Sequence, residues 1–241
     1  MPSQSEIKLF NSLKLKKFRQ KYGLFVVEGL KTVTELLHSS LDVQQILVDR
    51  DFDVPAGNTP VHLISKQEMA RLSSMETPPG ILAVAAVPVY SPVSLFSEAS
   101  GPVLALDGIR DPGNLGTIIR IADWYGIGDI LLSEECTDVY NPKCLQASMG
   151  SFLRVRCHYG NLQELLPSTG LPVLGCTLRG RNIREFALPE RCVVLIGSES
   201  HGISDHLMPL LTHQISIPRF GKAESLNAAI ATAIVLDRCV H

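Results

Sequence analysis

The hydrophobic period of the N-terminal third of the chain changes several times. Over residues 5–21, Ile7, Phe10, Leu13 and Phe18 recur at roughly helical spacing and predict one amphipathic stretch. Residues 24–27 (Leu-Phe-Val-Val) predict a short strand ended by Glu28-Gly29, and residues 31–38 a helix with Val33, Leu36 and Leu37 on one side. Another strand is expected at 45–48. Ser65 and Glu68 have the spacing of a capping box: the serine hydroxyl accepts an N–H one turn on, and the glutamate accepts the serine's own N–H. A helix therefore opens there and runs through Leu72. After the Pro78-Pro79-Gly80 break, an unbroken apolar run at 81–87 predicts a buried strand. These elements predict a small α/β domain over residues 1–90.

From residue 103 onward the pattern is different. Short apolar runs at 103–106, 130–132, 173–176, 193–196 and 214–217 alternate with helical patterns at 116–125, 142–149, 204–211 and 225–237. Strands that are apolar throughout, separated by helices, predict a mainly parallel sheet covered on both faces. The fold class is thus α/β, with a second domain over 103–241. Ser91-Pro92 and Ser100-Gly101-Pro102 mark residues 91–102 as a linker.

Composition narrows the function classes. The 241 residues are 45% hydrophobic and 19% charged, which is globular material. No apolar run approaches the roughly 20 residues of a membrane span. The opening Met1-Pro-Ser-Gln-Ser-Glu6 lacks the apolar core of a signal peptide, so a cytoplasmic protein is expected. Six scattered cysteines show no metal-ligand spacing, and His201 and His206 read as a loop and a helix residue, so no metal is expected. The net charge is only −2, yet Lys8, Lys14, Lys16, Lys17, Arg19 and Lys21 cluster near the N-terminus. Such a run suits RNA phosphates, with Lys14, Lys16, Lys17 and Arg19 as candidates; a solvated helix face explains it equally well.

Chemistry concentrates at the carboxyl ends of three expected strands, where open parallel sheets place their sites. The first carries Asp107-Gly-Ile-Arg-Asp-Pro-Gly-Asn-Leu-Gly116, with Asn114 placed to cap the next helix and Gly116 leaving room for Arg120. The second carries Gly197-Ser-Glu-Ser-His-Gly202, where glycines admit close backbone approach and Glu199 offers an acceptor. The third, residues 215–227, ends in Glu224-Ser-Leu-Asn227, with Ser225 as a natural cap of an alanine-rich helix. Read singly, these are a turn, a glycine loop and a capped core helix.

Other enzyme classes fit poorly. Ser, Glu and His adjoin at 199–201, but the G-x-S-x-G elbow of a hydrolase is missing. Gly126-Ile-Gly-Asp-Ile-Leu131 lacks the third glycine of a dinucleotide fingerprint and precedes a strand, and the chain has no P-loop pattern.

Taken in order, Asp111-Pro-Gly-Asn-Leu-Gly-Thr-Ile-Ile-Arg120, Leu195-Ile-Gly-Ser-Glu199 with Gly202, and Ile217-Pro218 with Glu224-Ser-Leu-Asn227 resemble the three motifs of the TrmH/SpoU methyltransferase family. This is the 2′-O-methylating branch of the SPOUT superfamily, the class IV methyltransferases. Asn141-Pro142-Lys143 and Ala147-Ser148-Met149-Gly150 fit between them, so the resemblance spans nearly all of 103–237. Lys17-Phe18-Arg19 and Phe25-Val-Val-Glu-Gly29 resemble the substrate-binding domain often fused to that catalytic domain.

The resemblance implies a deep trefoil knot in the C-terminal domain and a homodimer, with S-adenosyl-L-methionine in the knotted loops and the RNA site shared across the interface. Carried over by position, Asn114, Arg120, Glu199, Ser225 and Asn227 form the catalytic set. Thr177, Leu178, Gly197, Gly202, Ile217, Pro218 and Leu226 contact the cofactor, largely through backbone. The implied reaction is methylation of a ribose 2′-hydroxyl in structured RNA, ribosomal RNA ahead of tRNA. A guanidinium is always protonated, so Arg120 is expected to act electrostatically, with Glu199 fixing Asn114 or Arg120. His201 and Ala228-Ala229 stand where relatives vary, which bears on specificity. The competing reading is a noncatalytic RNA-binding protein that retains the methyltransferase fold.

Overall fold

The computed structural model describes residues 2–90 and 101–240, so positions 91–100 of the expected linker lie outside the described residues. Four strands make the N-terminal sheet: β1 (Leu24–Glu28), β2 (Val43–Val48), β3 (Val61–Leu63) and β4 (Ile81–Ala86), in the order β1-β4-β2-β3. β4 pairs antiparallel with β1 and β2 on its two sides, which accounts for its unbroken apolar sequence and near-complete burial. α1 (Gln4–Ser12), α2 (Lys16–Tyr22), α3 (Leu30–Leu37) and α4 (Lys66–Leu72) surround this sheet. The Ser65–Glu68 capping box forms as expected, and Ser3–Glu6 makes another at α1.

The single stretch expected over 5–21 is two helices. Leu13 turns inward to 2% exposure and Leu15 adopts an extended backbone, so α2 restarts in a new direction. Val61–Leu63 was not foreseen because two of its three side chains face solvent, leaving no apolar run.

The C-terminal sheet has six strands, all parallel: β5 (Val103–Leu106), β6 (Asp129–Leu132), β7 (Arg156–Tyr159), β8 (Val173–Asn182), β9 (Val193–Ile196) and β10 (His213–Ser216). Their order is β10-β8-β9-β5-β6-β7, packed by α5 (Pro112–Trp124), α6 (Pro142–Ser148), α7 (Leu162–Ser168) and α8 (Ala228–Val240). The central β5 and β9 are buried at every residue, as a sheet covered on both faces requires. β7 escaped the sequence pattern because Arg-Cys-His-Tyr is polar at an edge. α7 was also not foreseen. The helix expected at 204–211 is only a 3-10 turn, Met208–Leu210, with Pro209 removing a backbone donor.

One apolar core joins the two sheets, running from Phe25 and Ile46 to Leu104, Ile118 and Phe152. Phe25 packs on Tyr140 at 4.4 Å between ring centroids and edge-on to Phe152 at 6.2 Å. Arg154 reaches Glu35 of α3 at 3.1 Å and Asp123 of α5 at 2.8 Å. The deepest tie is Arg19, only 3% exposed. Its Nε and Nη2 lie 2.7 and 2.6 Å from Asp138 Oδ2, and Nη1 donates to the Leu13 and Lys14 carbonyls. Removing one member of such a pair leaves a buried charge unpaired. Asp138→Ala should lower the unfolding free energy by about 3 kcal/mol, read from denaturant midpoints, whereas the exposed Lys17→Ala should stay within about 0.5 kcal/mol.

Candidate active site

The strand order reverses at the β5–β9 pair: the chain proceeds from β5 outward to β6 and β7, then returns to fill the other side. Open parallel sheets bind ligands in the crevice outside such a reversal. Asp107 directly follows β5, is 3% exposed, and its Oδ2 accepts the Ser204 N–H at 2.7 Å. The loops after β5 and β9 are therefore tied together. Gly108, at φ +66°, donates to Ser133 Oγ, and Thr137 donates to the Ile109 carbonyl, so the loop after β6 joins them. Asp107 is a functional residue beyond those expected from the motifs; its signal in the sequence is a carboxylate at the end of a buried strand.

Asp111, not Asn114, caps α5. Its carboxylate accepts the Asn114 N–H at 2.9 Å, with Pro112 preset for the first helical turn. Lys143 of α6 lies 2.9 Å from Asp111; its ammonium first, and the Asn114 amide second, hold the Asp111 carboxyl below the usual aspartate range. Gly116 also serves differently from expectation. A Cβ there would stand 2.4 Å from the Cys144 carbonyl and 2.7 Å from Ala147 Cβ, so the glycine admits α6 against α5 rather than clearing space for Arg120.

With the capping role taken by Asp111, the Asn114 side chain is available to the crevice. Its Nδ2 donates to Glu199 Oε1 at 2.5 Å, and its Oδ1 accepts from Asn227 Nδ2 at 2.9 Å. Asn227 Oδ1 in turn accepts the Ala229 and Ile230 amides at 3.0 and 3.4 Å, so Asn227, not Ser225, caps α8. Glu199 Oε1 also accepts the Ala228 N–H at 3.3 Å. Three residues from three distant segments thus form one network, in which each amide is oriented by bonds at both ends. Glu199 secures Asn114. Arg120 lies about 240° further round α5, is exposed, and makes no hydrogen bond or ion pair with any described residue. Ser225 is likewise exposed, outside the network.

The residues expected at the cofactor lie within or after the neighbouring strands β8, β9 and β10, with Leu226 just before α8. Gly197 follows β9, and a Cβ there would lie 2.1 Å from the Gly202 carbonyl carbon. Only glycine lets Ser198 and Gly202 exchange their two backbone hydrogen bonds, at 3.1 and 2.8 Å. Gly202 has φ +68° and open space on its Cβ side. β8 is longer than expected, and its pairing with β10 steps from Gly175 to Arg181, so Thr177 and Leu178 lie in the excursion between. Ile217 and Pro218 follow β10, half-buried. Leu178 is 77% exposed and Leu226 46%. Apolar side chains left in water on these segments, together with uncrowded backbone, suit a heteroaromatic ligand with few hydrogen-bonding edges.

The N-terminal basic residues divide. Arg19 is buried in its pair with Asp138, and Lys14 Nζ donates to the Arg71 and Ser73 carbonyls at 2.6 and 2.8 Å. Both hold the fold and are withdrawn from the surface set expected for RNA. Lys16 and Lys17 are exposed.

A parallel sheet with an Asn-Glu-Asn cluster at its reversal point, clamped to a smaller mixed sheet, defines a two-part α/β protein. The SpoU rRNA Methylase family model matches residues 101–237, and the MRM3-like substrate binding domain matches residues 4–83. The chain is 31% identical over 238 residues to the 23S rRNA (guanosine(2553)-2'-O)-methyltransferase RlmP of Bacillus subtilis, covering 96% of this chain and 94% of that protein. A solved TrmH-family protein from Porphyromonas gingivalis superposes with TM-score 0.88 at 35% identity, covering 99% and 98% of the two chains. An AdoMet-bound rRNA methyltransferase from Sinorhizobium meliloti does so with TM-score 0.89 at 26% identity, covering 99% and 96%. This chain belongs to the SpoU rRNA methylase family.

Gly197→Ala should lower stability by about 1–3 kcal/mol through overpacking and weaken S-adenosylmethionine binding; calorimetric unfolding and titration check both. Because the folded Asp111 pKa is depressed, its contribution is full above the unfolded value, about 3.9, and is lost as pH falls through the lower folded value. Lys143→Met should therefore shift acid loss of α5 helicity to higher pH, followed by circular dichroism.

Proposed function

We propose that this protein transfers the methyl group of S-adenosyl-L-methionine to a ribose 2′-hydroxyl of ribosomal RNA, acting as a homodimer. The observation that carries this reading is the Asn114–Glu199–Asn227 network at the strand-order reversal. Donors held in one direction before the ligand arrives suit stabilisation of a reacting group. The family match and the names of the relatives, which are ribosomal RNA methyltransferases, support the substrate class. When bound, the cofactor supplies an electrophilic methyl group. Gly197, Gly202, Ile217 and Pro218 would hold it through backbone groups, with Thr177 on its polar edges and Leu178 and Leu226 as apolar walls.

Asn114 and Asn227 present amides whose orientation is settled before RNA arrives, which lowers the cost of aligning the ribose. Glu199 uses one oxygen for Asn114 and Ala228, and its other oxygen remains an acceptor facing the crevice chemistry. Arg120 steadies negative charge on the developing alkoxide or the neighbouring phosphate, and Ser225 orients the ribose. Within one chain Arg120 lies off the network, so it serves the site of the second copy. Trp124, 84% exposed on α5, and Ile230 and Ile234, 52% and 39% exposed on α8, support burial of this helix pair against another subunit.

The same reading assigns residues 1–90 to RNA binding and 103–241 to methyl transfer, joined through 91–102. It includes a trefoil-knotted C-terminal domain, supported by the family match. The reading keeps a cytoplasmic location, supported by the likeness to a bacterial ribosomal RNA methyltransferase; no helix among the described residues is long and apolar enough to cross a membrane.

The test is transfer of labelled methyl groups to ribosomal RNA. Arg120→Ala and Asn114→Ala should each lower turnover at least about a hundredfold, without abolishing cofactor binding. Mixing the two after denaturation and refolding should restore roughly a quarter of wild-type turnover, since half of the dimers are mixed and carry one intact site. No transfer by folded wild type would leave the noncatalytic reading standing, and no recovery on mixing would place Arg120 in its own chain's site.

A further inference from the structure

Helix α2 has two unlike sides. Its inner side carries Arg19, buried against Asp138, which fixes the helix to the loop after β6. That loop touches the loop after β5, the Thr137 N–H donating to the Ile109 carbonyl, so a chain of contacts links α2 to the segment that leads into Asn114. Elsewhere on its surface, Phe18 and Tyr22, one turn apart, have ring centroids 6.3 Å apart and planes within 12° of parallel. Tyr22 is 40% exposed. On the adjoining stripe, Lys17 Nζ lies 4.9 Å from the Phe18 centroid, and Lys21 Nζ 5.2 Å from that of Tyr22. Residues 7–27 contain no Asp or Glu, so these ammonium groups have no carboxylate on their own segment.

We propose that α2 is a stacking platform for unpaired RNA bases, with Phe18 and Tyr22 presenting the ring surface and Lys16, Lys17 and Lys21 holding the adjoining phosphates. Lysines alone would suit any polyanion. An exposed Tyr22 ring backed by the half-buried Phe18 adds a partner for base faces, which a duplex keeps stacked internally and only an unpaired strand offers. Lys17 and Lys21 now rest over the two rings in weak, exposed cation–π contacts. Binding would let each swing to a phosphate and leave its ring to a base. The ligand is therefore a single-stranded segment of the substrate RNA. This inference rests on the reading of RNA as substrate.

The experiment measures anisotropy of a fluorescein-labelled oligouridylate of about twelve nucleotides, with a blunt RNA duplex in parallel, on the full chain. Tyr22→Leu should weaken single-strand binding about tenfold, and Phe18→Leu with it further, while duplex affinity and the unfolding midpoint of Tyr22→Leu hold. Tyr22→Phe, which keeps the ring, should bind like wild type. Lys17→Gln with Lys21→Gln should weaken both ligands and flatten the single-strand salt slope by about 1.4. Unchanged single-strand affinity in Tyr22→Leu, or an equal fall for duplex, overturns the platform while leaving methyl transfer intact. If folded wild type binds neither RNA, the platform and the RNA substrate fail together.

Discussion

β5 and β9 are hydrogen-bonded neighbours from Val103↔Val193 to Leu106↔Ile196 and run in the same direction, so their chains emerge side by side. One chain must then go on to β6 and the other toward β10, past β8. Two loops that start together and separate leave a crevice between them, and the site depends on how it is held. Asp107 closes it from below by accepting the Ser204 amide, the Gly197–Gly202 backbone contact sets the shape of one wall, and the Asp111 cap sets the start of the other. The chemistry is thus placed by backbone geometry first and by side chains second.

The cluster across the crevice works chiefly through direction. A hydrogen bond contributes only about 0.5–1.5 kcal/mol net, so the Asn114 contacts are a small part of the stability of this domain. An amide bonded at both its oxygen and its nitrogen, however, cannot flip, and its remaining N–H points one way. Because Asn227 also caps α8, the position of the C-terminal helix is coupled to the orientation of Asn114. The same helix carries the exposed Ile230 and Ile234, which links the site mechanically to the surface proposed for the second copy.

The N-terminal sheet is held to this core by apolar contact and by charge. Phe25 sits against Tyr140 and Phe152, and Arg19 brings a buried charge to Asp138. Burial of Arg19 explains why a run of basic residues need not share one purpose. A helix surface turns 100° per residue, so Lys17, Phe18 and Arg19 face three directions and meet water, a neighbouring ring and the protein interior.

Much of the fold was legible in the sequence, because burial on both faces makes the strands of a parallel sheet apolar throughout, and β5 and β9 stand at their predicted limits. Edge strands β3 and β7 lacked that signature, and the hinge between α1 and α2 was hidden because both helices keep the same apolar spacing. The three motifs, their order and their family were properties of the sequence alone, since side-chain type and spacing suffice to recognise them. Which residue caps which helix was decided only in three dimensions: Asp111 and Asn227 took roles that spacing assigned to Asn114 and Ser225. So was the choice of Asn114 over Arg120 as the partner of Glu199, and the withdrawal of Lys14 and Arg19 from the surface. Local chemistry determines what a residue can bond; only packing determines which partner lies within 3 Å of it.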